Sequence, residues 1–238
     1  MTFEQYYSSC MINLYAVTAD NGRRLMLVCG VRWPLLQKAL GYDLSNIDGC
    51  LLTHEHADHS KAVKEVMRAG IDVYSSAGTF EALGLIERRR ALVVMGDVRF
   101  DVGGSFMIAC FRINHDANDP HGYIVHEKET EDYLFFVPDS SHIKQRFNIR
   151  FSIIAIECSY DIKILERRVN EQDINEELAK RLLKSHMEKQ TTMKYLAEFC
   201  NLYKCQEIHL LHMSADNIDK QATKLEFEKK FFIETVIK

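Results

Sequence analysis

Short apolar runs and helix-like apolar spacings alternate along the chain, and together they predict an α/β fold. Runs typical of buried strands cover Met11–Thr18, Leu25–Cys29, Gly49–Leu52, Val73–Ser75, Ala91–Met95, Val98–Val102, Phe106–Ile113, Tyr123–His126, Tyr133–Val137, Ile153–Glu157 and Glu207–Leu211. Helical apolar spacing covers Trp33–Leu40, His59–Ala69, Glu176–Leu183, Thr192–Cys200 and Asp219–Phe231. The dipeptide Asn21-Gly22 predicts a hairpin between the first two strands. Two β-rich halves, each flanked by helices, indicate stacked sheets with helices outside.

The chain is predicted to form a single domain over residues 1–238. It has no Gly/Ser/Pro-rich linker, low-complexity tract or internal repeat, and it has three prolines. Apolar residues make up 47% of the chain and charged residues 27%. A chain this apolar can bury enough surface to offset the entropy of folding, so disordered and collagen-like classes are excluded.

Charge and cysteine usage limit the partners and the compartment. The formal net charge of −4 gives no global sign of a nucleic-acid partner, although a local basic groove would be enough to bind one. Seven dispersed cysteines without a CxxC pair are typical of free thiols in a reducing cytoplasm. No apolar run approaches the roughly 20 residues that span a bilayer, and MTFEQYYSSC lacks the pattern of a secretion signal. We therefore expect a cytoplasmic protein that does not span a membrane.

The predicted strand Gly49–Leu52 leads directly into Thr53-His54-Glu55-His56-Ala57-Asp58-His59. In an extended segment, residues i and i+2 project to the same side, so His54 and His56 can converge on one cation. Asp58 and His59 follow where the chain turns into a helix, and they can reach a second cation. Imidazole and carboxylate are the usual ligands of zinc and similar divalent metals. The alternative is a polar loop that is rich in histidine by chance.

A dinuclear site needs more ligands than this loop supplies. We expect them at the ends of other strands, because a rigid sheet holds side chains in place there. His115, Asp139 and His212 each stand just past an apolar run. Each alone has the alternative of a surface or capping polar residue. Their recurrence at the same kind of position favours the metal-ligand interpretation.

HEHADH resembles the signature of the metallo-β-lactamase fold superfamily, and later segments resemble its other motifs in order. The resemblance also rests on SSCMINLY, HDANDPHGY, FVPDS, IECSYD and LLHMSADN, and it runs from about Ser9 to about Asn217. The small, single-domain, exonuclease-like hydrolases of bacteria and phages are the most similar branch. The resemblance implies an αββα sandwich, in which two mixed β-sheets pack face to face with helices outside and the metals lie at one edge.

The resemblance further implies how the ligands divide between two ions. One metal would be held by three imidazoles, those of His54, His56 and His115. The other would be held by Asp58, His59 and His212, with Asp139 as the bridge between the two ions. Zinc is the expected cation for a site rich in histidine, and manganese is its competitor because carboxylates also bind it.

Two cations about 3.5–4 Å apart can share a hydroxide, because each lowers the pKa of bound water toward about 7. That hydroxide would attack phosphorus or a carbonyl carbon, and the metals would neutralise charge on the reacting oxygens. Asp58, a ligand of this pair, and His186 are the predicted catalytic residues. The segment around His186 resembles one whose histidine, in the phosphodiesterase branches, contacts the phosphate or protonates the leaving group. The alternative for His186 is an incidental histidine in a helix-capping loop.

Two further positions bear on the site. The family usually has an Asp before a Gly at the end of its second strand, and Leu27-Val28-Cys29-Gly30 places Val28 there. That Asp normally orients a metal ligand, so its absence bears on metal affinity. Glu157, at the end of a predicted strand, is expected either to orient a ligand without touching the metal or to be a solvated acid.

Basic residues cluster at Arg88-Arg89-Arg90, at Arg146 with Arg150, at Arg167-Arg168, and at Lys180, Arg181 and Lys184. A charge run is usually a solvated face. If one of these clusters guides a phosphate backbone, the one just before His186 is the best candidate.

The leading hypothesis is a metal-dependent phosphodiesterase or nuclease that acts on nucleic acid or a small phosphodiester. One alternative is hydrolysis of a small ester, thioester, lactone or cyclic phosphate, because the same two metals serve either electrophile. Another is a metal-stabilised binding module without catalysis. A β-lactamase is disfavoured, because the resemblance gives this chain a ligand histidine at His59 and a bridging Asp139. The choice between DNA and RNA and the oligomeric state stay open.

Overall fold

The apolar runs of the chain form two mixed β-sheets, one of six strands and one of seven. The computed structural model describes residues 1–96 and 98–238. It falls into two units, described separately below. The first comprises Met1–Arg112 and Ala117–Asp132, and the second comprises Ile113–Asp116 and Tyr133–Lys238.

The first unit contains the six-stranded sheet. Its strands, in the order of both the chain and the sheet, are β1 (Thr2–Ser8), β2 (Asn13–Thr18), β3 (Arg24–Leu27), β4 (Ile47–Leu51), β5 (Val73–Ser75) and β6 (Ala91–Val93). β1 to β3 are antiparallel, and β3 to β6 are parallel. The turn between β2 and β3 forms as predicted, because Gly22 adopts a φ of +79° that other residues rarely tolerate.

Four short helices connect the parallel strands of this sheet. They are α1 (Trp33–Ala39), α2 (Ala57–Ser60), α3 (Val63–Arg68) and α4 (Ala77–Ala82). Leu36 of α1 and Val66 of α3 are fully buried in one cluster with Leu14 and Met26 of the sheet. Burying these side chains fixes the helices on the sheet, since each buried aliphatic side chain stabilises by about 1.5–3 kcal/mol.

The first unit also contributes three antiparallel strands to the second sheet. They are β7 (Arg99–Val102), β8 (Phe106–Arg112) and β9 (His121–Glu127). Tyr123 of β9 donates a hydrogen bond of 2.8 Å from Oη to the carbonyl oxygen of Leu52, just past β4. Tyr74 of β5 stacks on Phe100 of β7 with ring centroids 5.2 Å apart. Within this unit, two layers of strands therefore pack face to face, in agreement with the predicted sandwich.

The second unit contains the parallel strands of the second sheet. They are β10 (Asp132–Val137), β11 (Ile153–Glu157), β12 (Glu207–Leu211) and β13 (Glu234–Val236). Its helices are α5 (Ile162–Asn170), α6 (Glu176–Ser185), α7 (Lys189–Phe199) and α8 (Lys220–Phe231). Every residue of β11 is buried, as expected for a central parallel strand covered on both faces.

The predicted strands and helices are present, with two kinds of difference. β1, α4, α5 and β13 were not predicted, because their short segments mix polar and apolar residues. The helix predicted over His59–Ala69 is divided into α2 and α3. The division arises because the Ala62 amide donates to the Cys29 carbonyl at 2.9 Å rather than to the preceding turn. Among the described residues, no helix is both long and apolar enough to cross a membrane.

Candidate metal centre

The first group of predicted ligands lies in the first unit, on the segment that leaves the carboxyl end of β4. The backbone is extended at His56, with φ −55° and ψ 143°, and α2 begins at the next residue. This change of direction brings three imidazoles together. The ring centroid of His54 lies 4.7 Å from that of His56 and 4.3 Å from that of His59. His54 and His59 are fully buried.

Two buried polar residues hold this group in position. The Thr53 hydroxyl lies 3.0 Å from Nδ1 of His54 and 3.5 Å from Nδ1 of His59. Asn13 donates from Nδ2 to Oδ2 of Asp58 at 3.0 Å, and the same nitrogen lies 3.2 Å from Nε2 of His59. Oδ2 of Asp58 is also 3.1 Å from that imidazole nitrogen. Asn13 and Thr53 therefore orient side chains whose direction the sequence could not give.

Gly30 allows the segment that carries Asp58 and His59 to dock closely on β3. A Cβ at Gly30 would overlap the carbonyl group of Asp58 and lie 2.6 Å from the amide nitrogen of His59. The neighbouring Cys29 amide donates to the His59 carbonyl at 2.7 Å, and the Gly30 amide donates to the Asn13 carbonyl at 2.9 Å. The position requires glycine because backbone meets backbone there.

Val28 occupies the position at which the resemblance leads one to expect an Asp. Its side chain is fully buried and its φ is +54°. This left-handed conformation is uncommon for any residue but glycine, and it is a marked outlier for a β-branched one. Strain of this kind costs about 1–3 kcal/mol and persists only where the surroundings impose it. Here the Val28 amide is held by a 2.9 Å hydrogen bond to the Leu51 carbonyl.

The second group of predicted ligands lies in the second unit and is centred on Asp139. Oδ2 of Asp139 is 3.6 Å from Nε2 of His115, and Oδ1 is 3.7 Å from Nε2 of His212. The carboxylate follows β10 and His212 follows β12, as the strand predictions implied. Each oxygen of one carboxylate thus faces a different imidazole.

Local backbone contacts set the orientation of the two imidazoles. Nδ1 of His115 donates to the Ser185 carbonyl at 2.8 Å, which leaves Nε2 as the nitrogen with the lone pair on the side of Asp139. His212 has a φ of +54° and stacks on His186, with ring centroids 4.9 Å apart and planes inclined by 9°. Such a left-handed histidine is typical of a position that its surroundings constrain.

Glu157 connects His186 to the loop that carries Asp139. Its Oε1 accepts a 2.6 Å hydrogen bond from Nδ1 of His186, and its Oε2 accepts a 2.5 Å hydrogen bond from the Ser140 amide. The carboxylate is fully buried, which excludes the solvated-acid alternative. Burial opposes charge on His186, but the charge of Glu157 and the hydrogen bond to it favour that charge more strongly. The pKa of His186 is therefore raised above its ordinary value.

His186 lies in a helix-capping loop and is itself the C-cap residue of α6, where its amide donates to the Leu182 carbonyl at 3.0 Å. His186 follows the last residue of α6. The residue that caps the next helix is Glu188, whose side chain accepts a 3.0 Å hydrogen bond from the Thr191 amide. The loop therefore caps α7 as the alternative expected, and the catalytic role of His186 stays a prediction.

The other histidines contact polar neighbours outside these two groups. His126 lies 3.1 Å from Glu131, and His209 lies 2.8 Å from Glu207. His142 lies 3.1 Å from the Ser141 hydroxyl, and His121 lies 3.9 Å from Asp119. These short-range contacts suit structural or surface roles.

The donor atoms of both groups suit divalent cations such as zinc or manganese. The first group offers three imidazoles and a carboxylate within six consecutive positions. In the second, one nitrogen or oxygen from each of His115, Asp139 and His186 lies within 4.8 Å of the others. Zinc accepts imidazole and carboxylate equally well, and manganese favours the carboxylates.

Comparison with known proteins gives a match over most of the chain. The model of the family described as "Beta-lactamase superfamily domain" matches residues 28–233. A metallo-beta-lactamase fold protein, YhfI from Bacillus subtilis, superposes with a TM-score of 0.74 at 15% identity, covering 99% of this chain and 95% of that one. At this identity the likeness shows the fold, and it confirms the predicted sandwich of two mixed sheets.

Two curated proteins are similar in sequence. Exodeoxyribonuclease YycJ of Bacillus anthracis is 22% identical over 199 residues, which are 80% of this chain and 73% of that protein. Anti-Pycsar protein Apyc1 of Bacillus phage 010DV004 is 44% identical over 54 residues, which are 23% of this chain. The match spans only 21% of the phage protein's length.

Proposed function

This chain belongs to the beta-lactamase superfamily, a superfamily of metal-dependent hydrolases, and we propose that it is a dinuclear phosphodiesterase that acts on nucleic acid. The observation that carries this proposal is the 2.6 Å hydrogen bond from His186 to the buried Glu157. It favours the protonated state of an imidazole in the same unit as the ligand-type side chains around Asp139. Hydrolysis of a phosphodiester needs such a proton donor, because the leaving alkoxide is a poor leaving group without a proton.

We assign the ligands of two ions to both units, acting as one hydrolase domain over residues 1–238. One ion would be held by His54, His56 and His115. The other would be held by Asp58, His59 and His212, with Asp139 shared between them. Bound divalent cations would lower the pKa of a water molecule and offset charge on the reacting phosphate oxygens.

The chain's own residues then have three tasks. Thr53 and Asn13 hold imidazoles and Asp58 at fixed angles, which keeps the ligands from reorganising during the reaction. Glu157 favours the protonated state of His186 and fixes the direction of its ring. His186 donates the proton of Nε2 to the leaving oxygen, since its Nδ1 is already engaged by Glu157.

One of the two curated relatives supports the choice of nucleic acid as substrate. The curated relative that matches 199 residues of this chain is named an exodeoxyribonuclease. Its identity of 22% makes this a guide to the substrate class. DNA is accordingly the first substrate to test, with RNA second. A cytoplasmic location is proposed with it, because all seven cysteines are free thiols.

The test compares substrate classes with one preparation of enzyme. A chromogenic phosphodiester, a thioester and a lactone are offered to the protein loaded with zinc and, separately, with manganese. We expect turnover of the phosphodiester and of single-stranded DNA. The double variant His56→Ala/Asp58→Ala should lose that turnover, whereas the matched variant His126→Ala, which changes a half-buried histidine outside both ligand groups, should keep it. Turnover of the carbonyl substrates alone would refute the phosphodiesterase assignment.

A further inference from the structure

A concave surface rich in cations lies in the first unit, between α3 and the segment that precedes β6. We call it the basic pocket. Its volume is about 260 Å³. The cationic residues that line it are Lys64, Arg68, Arg88, Arg89 and Arg90. Two apolar residues, Met67 and Leu85, complete the lining.

The local fold explains why these cations share one surface. Lys64 and Arg68 are four residues apart on α3, and residues i and i+4 lie on the same face of a helix. The three arginines follow α4 in a turn that is closed by two backbone hydrogen bonds. The Arg88 amide donates to the Leu85 carbonyl and the Ala91 amide donates to the Arg88 carbonyl, both at 2.9 Å.

Most of the positive charge in the basic pocket is not compensated by acids. Arg90 pairs with Asp72 at 2.7 Å, and Arg68 pairs with Glu65 at 3.3 Å. Within the described part of the chain, Lys64, Arg88 and Arg89 form no ion pair. No acid lines the pocket. In a chain of net charge −4, such a local concentration of cations creates a field that attracts anions.

The basic cluster beside His186 is less suited to binding phosphate than the basic pocket is. Its own pocket, in the second unit, is lined by Asp116 and Glu177 as well as by cations. Arg181 is engaged there by Asp116 at 3.0 Å. The sequence favoured that cluster because of its position beside His186. The charge balance favours the basic pocket instead.

The basic pocket lies at the opposite edge of the sheet from the HEHADH segment. β4, β5 and β6 are parallel, and the HEHADH segment follows the carboxyl end of β4. Asp72 and Arg90 immediately precede β5 and β6, at the amino ends. A strand of five residues is about 17 Å long. That length is about five times the roughly 3.4 Å spacing of charges along one strand of duplex DNA, and an extended single strand spans it with fewer nucleotides.

We infer that the basic pocket binds phosphate groups of a nucleic-acid strand several nucleotides away from the phosphate that reacts. This inference rests on the proposed function, because it gives the nuclease substrate a second point of attachment. The cations contact the backbone, and the partly buried Met67 offers an apolar surface to a sugar. No aromatic side chain lines the pocket, so we expect binding to be independent of base sequence.

The test measures binding directly. The triple variant Lys64→Gln/Arg88→Gln/Arg89→Gln removes the three uncompensated cations. These side chains are exposed, so the fold should tolerate the change. The metal-loaded protein is titrated with fluorescent oligothymidines of about four and about 20 nucleotides, carrying phosphorothioate linkages that resist hydrolysis. We expect the long strand to bind about tenfold or more weakly to the variant, with a salt slope smaller by about 2, or about 0.7 per lost contact.

The controls distinguish loss of the basic pocket from a general loss of positive charge and from a loss of catalysis. The matched variant Lys194→Gln/Lys204→Gln/Lys229→Gln removes three exposed cations elsewhere and should bind the long strand like wild type. The short strand should bind equally to all three proteins, and hydrolysis of the chromogenic phosphodiester should be unchanged. If that diester is not hydrolysed even by wild type, the proposed function fails, while strand binding still decides the role of the pocket.

Two outcomes would overturn the inference. One is equal loss of long-strand binding in the test and matched variants, which would reflect net charge alone. The other is unchanged strand binding together with lost binding of inorganic tripolyphosphate, which would make the pocket a site for a free anion.

Discussion

The close contact at Gly30 gives a prediction whose magnitude follows from the structure. In Gly30→Ala, the added Cβ would overlap the Asp58 carbonyl group and lie 2.6 Å from the amide nitrogen of His59. Carbon and nitrogen atoms of separate segments normally lie about 3.5 Å apart or more. The segment that carries Asp58 and His59 must therefore move away from β3 by roughly 1 Å or more.

Two effects add up in this variant. Overpacking of a closely packed site costs about 1–3 kcal/mol. The movement also weakens the hydrogen bonds that join Cys29 to the His59 carbonyl and to the Ala62 amide, at about 0.5–1.5 kcal/mol each. We expect the free energy of unfolding to fall by about 2–6 kcal/mol. Metal affinity should fall too, because Asp58 and His59 leave their positions relative to Asn13.

Urea denaturation measures the free energy of unfolding, and elemental analysis measures bound metal. Gly96→Ala is the matched control, because a Cβ at Gly96 would meet no atom within 4 Å. It should lie within about 0.5 kcal/mol of wild type. If Gly30→Ala also unfolded within about 0.5 kcal/mol of wild type and kept its full metal content, the close-approach argument would be refuted.

Three further predictions concern catalysis, pH and metal removal. His186→Ala should lower kcat for phosphodiesters by about 10²–10⁴-fold while bound metal stays at the wild-type level, and unchanged turnover would remove its assigned role. Burial would raise the pKa of Asp161, but its hydrogen bond and charge pairing with Lys189 lower it, so this pair stabilises the fold at neutral pH. At pH 7 the free energy of unfolding of Lys189→Met should therefore be lower than that of wild type by about 1 kcal/mol or less. Lys189 also pairs with Glu226 at 2.9 Å and lowers the pKa of that carboxyl group. In urea titrations the difference should therefore vanish as the pH falls through the depressed pKa values of Asp161 and Glu226, and a constant difference would contradict the pairing. Chelation of metal should lower the Tm by several degrees, since ions that bind only the folded state stabilise it, and an unchanged Tm would argue against bound metal.

Much of the fold could be predicted because its strands are strongly patterned. β11 is a continuous apolar run, and all five of its residues are buried. Segments with weak patterns were missed. β1 is an edge strand with mostly half-buried residues. α5 is a short helix in which polar residues interrupt the apolar spacing. The split between α2 and α3 depends on the backbone of Cys29, a tertiary contact that local spacing does not encode.

The residue types of the candidate site could be predicted, but the residues that orient its ligands could not. A cluster such as HEHADH is visible because histidine and aspartate are concentrated there. Asn13 and Thr53 could not be singled out, because a polar residue in or beside an apolar strand looks the same whether or not it orients a ligand. The acid–base pair of Glu157 and His186 spans 29 residues, so only the folded chain brings its members together.

The most direct test of the account is the number of metal ions that the protein binds. Native mass spectrometry of the protein purified with zinc should show two ions per chain. Asp139→Ala removes the carboxylate assigned to both ions and should leave at most one, whereas His126→Ala should keep two. A wild-type protein that folds normally and holds no zinc or manganese would contradict the account.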